Sequence, residues 1–300
     1  MLTGTPGDAL DAAIGAWLLR GAAVGPGSDQ YTGSDLTVAE DLVAVAVDGK
    51  TVRGAVDADG AQVHLLAAMT HGQGLVVGQT DVAAKTNEIP MFTELLDGLD
   101  LKNMIITADA LHTQRATATY LHRRDAYFVF TAKENQPRLF DALDALPWTT
   151  IPIQHATTDR AHGRITTRTI QVMPAPKDLP FPHVEQVWLI ERGVTDLHGK
   201  SLSNVAALGI TNLTPAQAGP ARLAELVRDH WGIESLHWIR DTLYREDDST
   251  VRTGSGPRTM AALRNLAVGA IRLFGRDDIT ETTRWAHRDM RRSFRILGLT

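Results

Sequence analysis

Apolar and polar positions along the chain predict a meander of three strands followed by alternating helices and strands. The strand-like runs are short and rich in valine, and glycine-containing turns separate the first three. These runs cover residues 42–47, 63–70, 74–82, 105–108 and 127–131. Helical apolar spacing is found at 88–99, 113–123 and 136–146. This order predicts an α/β fold.

The pattern changes twice more along the chain. Residues 147–214 alternate between β-branched and polar positions and contain several prolines, so they predict a β-rich insertion. From residue 215 onwards the spacing is helical, mainly at 221–245, 258–274 and 281–295. Residues 1–41 are expected to form a helical lead at residues 8–20, followed by a glycine-rich linker. The expected divisions are therefore 1–41, 42–146, 147–214 and 215–300.

Three acidic residues stand where chemistry is expected in such a sheet. Asp48 and Asp109 each follow an apolar strand-like run, and ligands collect at the carboxyl ends of strands. A third acid, Glu234, lies in the long helical stretch. His230, His237 and other polar residues recur there at helical spacing and are expected to share its face.

Composition narrows the class of protein. The 300 residues are 43% hydrophobic and include no cysteine, which excludes disulfides and thiolate zinc sites. The net charge is -5, but residues 251–300 carry ten arginines and four acids, a net +6 that leaves -11 for the remainder. A local basic surface of this kind suits phosphate binding, although a solvated helix explains it equally well. Gly49-Lys50-Thr51 lacks the earlier glycine of a phosphate-binding loop, so ATP binding is not expected.

Five motifs, in order, resemble one family. VAVDGKTVRGA, KTNEIP, TADALHTQ, KENQP and HWGIESLHW are similar to the DDE transposases of bacterial insertion sequences, in the branch that includes the H-repeat-associated proteins. The resemblance implies a ribonuclease H-like catalytic domain with the β-rich insertion between the second and third acids. It also implies that Asp48, Asp109 and Glu234 bind Mg²⁺ or Mn²⁺, as two ions.

The resemblance has gaps. Related transposases carry Tyr-x-x-Arg-x-x-x-Glu-x6-Lys around the glutamate, whereas this chain has Val227, His230, Glu234 and Asp241 there. The DNA-contacting roles of that signature therefore do not transfer. His230 and His237 match no zinc-protease spacing, so the sequence does not favour ligation of a metal by histidine. A helical region found upstream in full-length relatives has no counterpart here, which leaves open a short family member or a truncated one.

Further residues are candidates for DNA contact, each with an ordinary structural alternative such as a solvated turn or a helix cap. His112 and Gln114 lie one turn beyond Asp109 and are candidates for contact with metal-bound water or with DNA. The candidates for DNA contact are Lys50, Arg53, Lys85, His112, Gln114, Lys133, Asn135, Gln136, His230, Arg288 and Arg292. The last two belong to an arginine series around Trp285 that is expected on one helical face.

The expected function is metal-dependent DNA strand cleavage and strand transfer at the ends of an insertion sequence. The resemblance implies that water cleaves one strand and that the released 3′-hydroxyl attacks target DNA. Element ends and target DNA are the expected partners, with a homodimer assembled on DNA, no membrane, no nucleotide cofactor and a cytoplasmic location. Two alternatives stay open: an inactive remnant that only binds DNA, and a free-standing nuclease that cleaves without joining.

Overall fold

The computed structural model describes residues 6–24, 42–56, 60–82 and 88–299. The chain divides into two units. The first unit comprises Met1–Leu36, Val45–Asp100 and Trp231–Thr300, and the second comprises Thr37–Ala44 and Leu101–His230. Both are mixed α/β structures. No helix in the described ranges is long and apolar enough to cross a membrane.

The described elements follow the predicted order. The strands are β1 (Val43–Val56), β2 (Gln62–Thr70), β3 (Val76–Val82), β4 (Met104–Ala108), β5 (Tyr127–Ala132), β6 (His155–Ala161), β7 (Arg164–Pro174), β8 (Gln186–Asp196) and β9 (Ser201–Thr211). The helices are α1 (Gly7–Val24), α2 (Glu88–Asp97), α3 (Arg115–Arg123), α4 (Pro137–Asp144), α5 (Pro220–Asp229), α6 (Gly232–Thr242), α7 (Gly256–Leu273), α8 (Ile279–His287) and α9 (Met290–Ile296).

The first unit contains the predicted meander. β2 pairs antiparallel with both β1 and β3, and apolar residues of β1 and β2 pack against α6 and α7. The helical lead is also part of this unit, because Ile14 and Leu18 of α1 are buried against Leu75 and Ala262. Arg258 of α7 reinforces that contact with ion pairs to Asp8, Asp11 and Asp81.

The second unit is a sheet that grows from a parallel pair. β4 and β5 are parallel, β9 joins β5 antiparallel, and β8, β7 and β6 follow in that order. The core contains Ile105, Val129, Ile170, Trp188 and Leu223. Residues 147–214 contain β6, β7, β8 and β9, and these strands continue the β4–β5 sheet by direct hydrogen bonding.

Two long helices predicted from the sequence are each divided in the structure. The predicted helix at 221–245 ends as α5 at Asp229 and restarts as α6 at Gly232. The predicted helix at 281–295 is α8 and α9, because the Asp289 side chain accepts a hydrogen bond from the Arg291 N–H at 3.0 Å and caps a new helix. The apolar spacing continues through both breaks, so periodicity alone did not reveal them.

Candidate functional site

Asp48 lies inside a strand of the first unit. It is the sixth residue of β1, stands opposite Ala67 of β2, and has a half-buried side chain. The sequence-based placement of Asp48 at a strand end is wrong, because residues 49–52 continue to pair with β2. The backbone is therefore paired with β2 both before and after Asp48.

A glycine follows Asp48 because neighbouring side chains leave no room for a Cβ at that position. A Cβ at Gly49 would overlap the Glu88 carboxylate and the His64 imidazole. His64 Nε2 lies 2.6 Å from Glu88 Oε1, and its Nδ1 lies 2.9 Å from Thr51 Oγ1. Glu88 comes from the KTNEIP motif, so its structural role is to hold α2 against β1 and β2 through His64.

His237 of α6 lies beside Asp48. Its Nδ1 is 3.6 Å from Asp48 Oδ2. Burial lowers the pKa of His237 to about 3, with the positive charges of Arg240 and Lys50 acting in the same direction. The imidazole is therefore neutral at pH 7, and the contact is not a salt bridge. Its Nε2 is buried and has no hydrogen-bond partner among the described residues.

Glu234 lies in the first turn of the same helix. Ile233 and Leu236 are buried against the first unit, which turns Glu234 towards solvent. Its carboxylate makes no hydrogen bond or ion pair within the described part of the chain. Two exposed indoles, Trp231 and Trp238, precede and follow it. The single helix predicted to carry both His230 and Glu234 is divided, because His230 belongs to the end of α5.

Asp109 is the corresponding acid of the second unit, and its side chain is exposed. It follows β4 directly, as predicted, and caps a short 3₁₀ helix because its Oδ1 accepts a hydrogen bond from the Leu111 N–H at 2.9 Å. Asn135 donates to the Ala110 carbonyl oxygen at 2.7 Å, and Thr113 donates to the Thr131 carbonyl oxygen at 2.6 Å. The loop that carries Asp109 is therefore tied to the segment after β5.

These bonds give several of the candidate DNA-contact residues a structural role. Asn135 holds the Asp109 loop, and Gln136 donates to the Gln114 side chain at 3.0 Å. Gln114 in turn donates to the Leu111 carbonyl oxygen at 3.0 Å. His112 is buried, so a direct contact between its ring and DNA is not supported. The TADALHTQ and KENQP motifs thus bind each other.

His230 lies near Asp109 within the second unit. Its Nδ1 is 3.1 Å from Thr107 Oγ1 of β4. Burial lowers the pKa of His230 to about 4, although the negative charge of Asp109 acts in the opposite direction. Each of the two aspartates therefore has a buried, neutral histidine as a neighbour, and these two histidines are the ends of one His-x6-His sequence.

Lys50 has a different environment from the one predicted. Its side chain is 8% exposed, and its ammonium lies 2.7 Å from Asp241 Oδ1, 3.6 Å from Glu246 Oε2 and 3.9 Å from Asp247 Oδ1. This arrangement argues against the interpretation of Lys50 as a phosphate contact. Arg53 remains accessible, with 81% of its side chain exposed, although its backbone N–H donates to Asp247.

The Lys50 carboxylates belong to a larger buried network. Glu246 accepts hydrogen bonds from Arg240 at 2.9 Å to each oxygen and from Arg264 at 3.2 Å. The network joins β1, α6 and α7, and so it fixes the elements that carry Asp48 and Glu234. Sequence reasoning missed it, because these charged residues lie up to 214 positions apart, from Lys50 to Arg264.

The remaining candidates for DNA contact differ in how accessible their side chains are. Lys133 is exposed, and Lys85 lies outside the described residues. Arg292 is held by a hydrogen bond to the Trp285 carbonyl oxygen at 2.9 Å, with its guanidinium 4.8 Å from the Trp285 ring centroid. Arg288 is exposed at the end of α8. The expected single arginine face is not formed, because α8 and α9 are separate helices.

A family model decides the affiliation of the chain. Residues 40–269 match the model described as Transposase DDE domain. The chain is a member of the DDE transposase family. The matched range contains Asp48, Asp109 and Glu234, and the relatives below include members of the H-repeat branch predicted from the motifs.

Two relatives of this DDE transposase chain come from Escherichia coli. The protein named "Putative transposase YncI" from strain O157:H7 is 29% identical over 246 residues, which cover 76% of this chain and 61% of the relative. The protein named "H repeat-associated putative transposase YhhI" from strain K12 is 27% identical over 256 residues, covering 79% and 66%. The chain thus spans less than two thirds of each relative.

Among solved structures, the piggyBac transposase in a synaptic complex with hairpin DNA resembles the chain with a TM-score of 0.43 and 11% identity. The alignment covers 85% of this chain and 51% of that one. A TM-score below 0.5 carries no argument about function.

Metal binding has to be judged from the side chains. Within the described ranges, no group of three or more His, Asp or Glu residues is arranged to hold a metal ion. Asp48 and Glu234 belong to the first unit and Asp109 to the second. Carboxylate oxygens are nevertheless the ligands that Mg²⁺ prefers, and Mg²⁺ needs one or two of them besides water and substrate phosphate. The exposed carboxylates of Asp109 and Glu234 fit that requirement.

Proposed function

We propose that this chain catalyses metal-dependent cleavage and strand transfer of DNA at the ends of an insertion sequence. The observation that carries the proposal is the family match over residues 40–269, which contains all three acids. The order of a three-stranded meander followed by β4, α3, β5 and α4 also supports a ribonuclease H-like fold for the catalytic part.

Asp48, Asp109 and Glu234 are the residues that would hold Mg²⁺ or Mn²⁺, as two ions. Such ions, when bound, polarise a scissile phosphate and stabilise the attacking and leaving oxygens. The residues of the chain contribute position. The paired strand β1 orients Asp48, the hydrogen-bonded loop orients Asp109, and the buried side of α6 turns Glu234 outward.

DNA is the proposed partner, as element ends and as target, and a homodimer on DNA is part of the proposal. Arg53 and Lys133 are exposed candidates for contact with phosphate. Lys50 is not included, since its ammonium is surrounded by carboxylates. Arg288 is kept as an exposed candidate.

The test is a pair of assays on DNA that carries the element's end sequence. Glu234→Gln keeps the size of the side chain and removes one negative charge, so we expect loss of Mg²⁺-dependent cleavage with DNA binding retained. Glu225→Gln is the matched control, because Glu225 is also a helical glutamate, its side chain is 45% exposed, and it pairs with Arg222 three residues away. It should cleave like the wild type.

The outcomes separate the alternatives. A wild type that binds DNA but never cleaves it with Mg²⁺ or Mn²⁺ would contradict the proposal and favour the DNA-binding remnant. Cleavage without a joined product would favour a nuclease. Equal cleavage by the wild type and Glu234→Gln would remove Glu234 from the set of catalytic acids.

A further inference from the structure

The contact between His237 and Asp48 has no explanation as an ordinary hydrogen bond. The separation of 3.6 Å between Nδ1 and Oδ2 exceeds the usual limit of about 3.2 Å for a nitrogen donor. The other ring nitrogen, Nε2, is buried without a hydrogen-bond partner among the described residues. With the ring proton on Nε2, the lone pair of Nδ1 faces the Asp48 carboxylate, and a bound cation would make that contact favourable.

We infer that His237 supplies a nitrogen ligand to the divalent ion held by Asp48. The inference rests on the proposed function, since it assumes that Asp48 binds such an ion. Two ligand atoms at about 2.1 Å from one ion can be no more than about 4.2 Å apart. The separation of 3.6 Å between Nδ1 and Oδ2 lies inside that limit. One ion can therefore touch both atoms with small side-chain movements.

A second contact, between Lys50 and Asp241, fixes the position of His237 relative to Asp48. Lys50 follows Asp48 by two residues in β1, so the two side chains point to the same face of the strand. Asp241 follows His237 by four residues in α6, so these two side chains lie on the same face of the helix. Lys50 Nζ is 2.7 Å from Asp241 Oδ1. The ion pair thus fixes α6 against β1 one step beyond His237 and Asp48.

Two positive charges lie near the proposed ligand pair, and carboxylates offset both of them. Lys50 is close to His237, but three carboxylates surround its ammonium group. Arg240 is likewise paired with Glu246. The two protein ligands would leave the remaining positions around the ion to water and phosphate, as Mg²⁺ and Mn²⁺ commonly require.

A nitrogen ligand has a consequence for metal preference. Imidazole is a softer ligand than carboxylate, and affinity at such a site rises from Mg²⁺ to the transition metals. His237→Asn should therefore weaken Mn²⁺ binding about tenfold or more while it changes Mg²⁺ binding less. Asn is close to His in size and cannot supply the ring nitrogen.

The decisive experiment is pulsed electron paramagnetic resonance of Mn²⁺ bound to the full chain after removal of any polyhistidine tag. We expect a ¹⁴N coupling from a directly bound nitrogen in the wild type, and its loss in His237→Asn. His230→Asn is the matched control, because His230 is the other buried neutral histidine of the same sequence motif. It should keep the coupling. Wild type labelled with ¹⁵N-histidine should show the ¹⁵N signal, which tests the ligand even if a variant fails to fold.

Each result decides between the two proposals. Mn²⁺ binding that Asp48→Asn weakens but that shows no nitrogen coupling would overturn the role of His237 and leave the proposed function standing. A coupling that survives in His237→Asn and disappears in His230→Asn would also overturn it. No binding of Mn²⁺ at millimolar concentration, with or without DNA, would contradict both.

Discussion

At the scale of single residues, Glu246 is a buried charge that contributes to the stability of the first unit. It is 1% exposed and neutralises Arg240 and Arg264, which are also buried. Glu246→Gln keeps the shape but leaves two buried cations with too little negative charge. We expect the free energy of unfolding, measured by urea denaturation, to fall by about 3–5 kcal/mol.

An exposed ion pair close to Glu246 in the sequence, between Asp248 and Arg245, provides the control. Asp248 is 66% exposed and lies 3.0 Å from Arg245. Asp248→Asn should change the free energy of unfolding by about 1 kcal/mol or less, because water screens such a pair. Equal effects of the two substitutions would show that the buried network does not hold the unit together.

Asp11 gives the first unit a pH dependence. Burial raises its pKa from 3.8 to about 6, although Arg258 acts in the opposite direction. Between pH 4 and 6 the folded chain therefore keeps a proton that the unfolded chain loses, and stability falls as the pH rises. The difference in free energy of unfolding between wild type and Asp11→Asn should shift by about 3 kcal/mol across this window and stay constant above it.

Urea denaturation at a series of pH values measures this effect. Asp8→Asn is the matched control, because Asp8 pairs with the same arginine but its side chain is 90% exposed. A difference between wild type and Asp11→Asn that does not change with pH would contradict the interpretation.

At the scale of elements, Gly209 determines how β9 packs between β5 and β8. A Cβ there would overlap the indole of Trp188, which is fully buried in the core of the second unit. Gly209→Ala should therefore lower the melting temperature and cost about 1–3 kcal/mol or more. Gly193 lies in the neighbouring strand with open space around its Cβ position. Gly193→Ala should be neutral or slightly stabilising, and equal losses in both variants would exclude the overlap as the cause.

The elements show what hydrophobic patterning can and cannot predict. The meander and the alternation from α2 to α4 were predicted because buried valines and leucines recur with clear periods. The extension of β1 beyond Asp48 was not, since Gly49, Lys50 and Arg53 are typical of a turn. Lys50 remains in the strand because its charge is neutralised by Asp241, far along the chain. The break at α6 was also hidden, because its apolar spacing continues that of α5.

At the scale of the whole molecule, the account depends on three acids and not on net charge. The ordered motifs identified the family from the sequence, and the family model agrees. The neighbours of each acid were not predictable, because they come from distant segments, such as His237 beside Asp48 and Asn135 beneath the Asp109 loop. Candidate DNA contacts were the least predictable, since burial decides whether a basic side chain is available.

The most direct test of the central claim is a strand-transfer assay with labelled DNA that carries the element's end and an unlabelled plasmid as target. We expect the wild type with Mg²⁺ or Mn²⁺ to link the label covalently to the plasmid, and Asp109→Asn to form no such product. Asp141→Asn, a change at an exposed aspartate of α4, should leave the product unchanged. A wild type that forms no joined product with either metal, or an Asp109→Asn variant that forms as much as the wild type, would contradict the central claim.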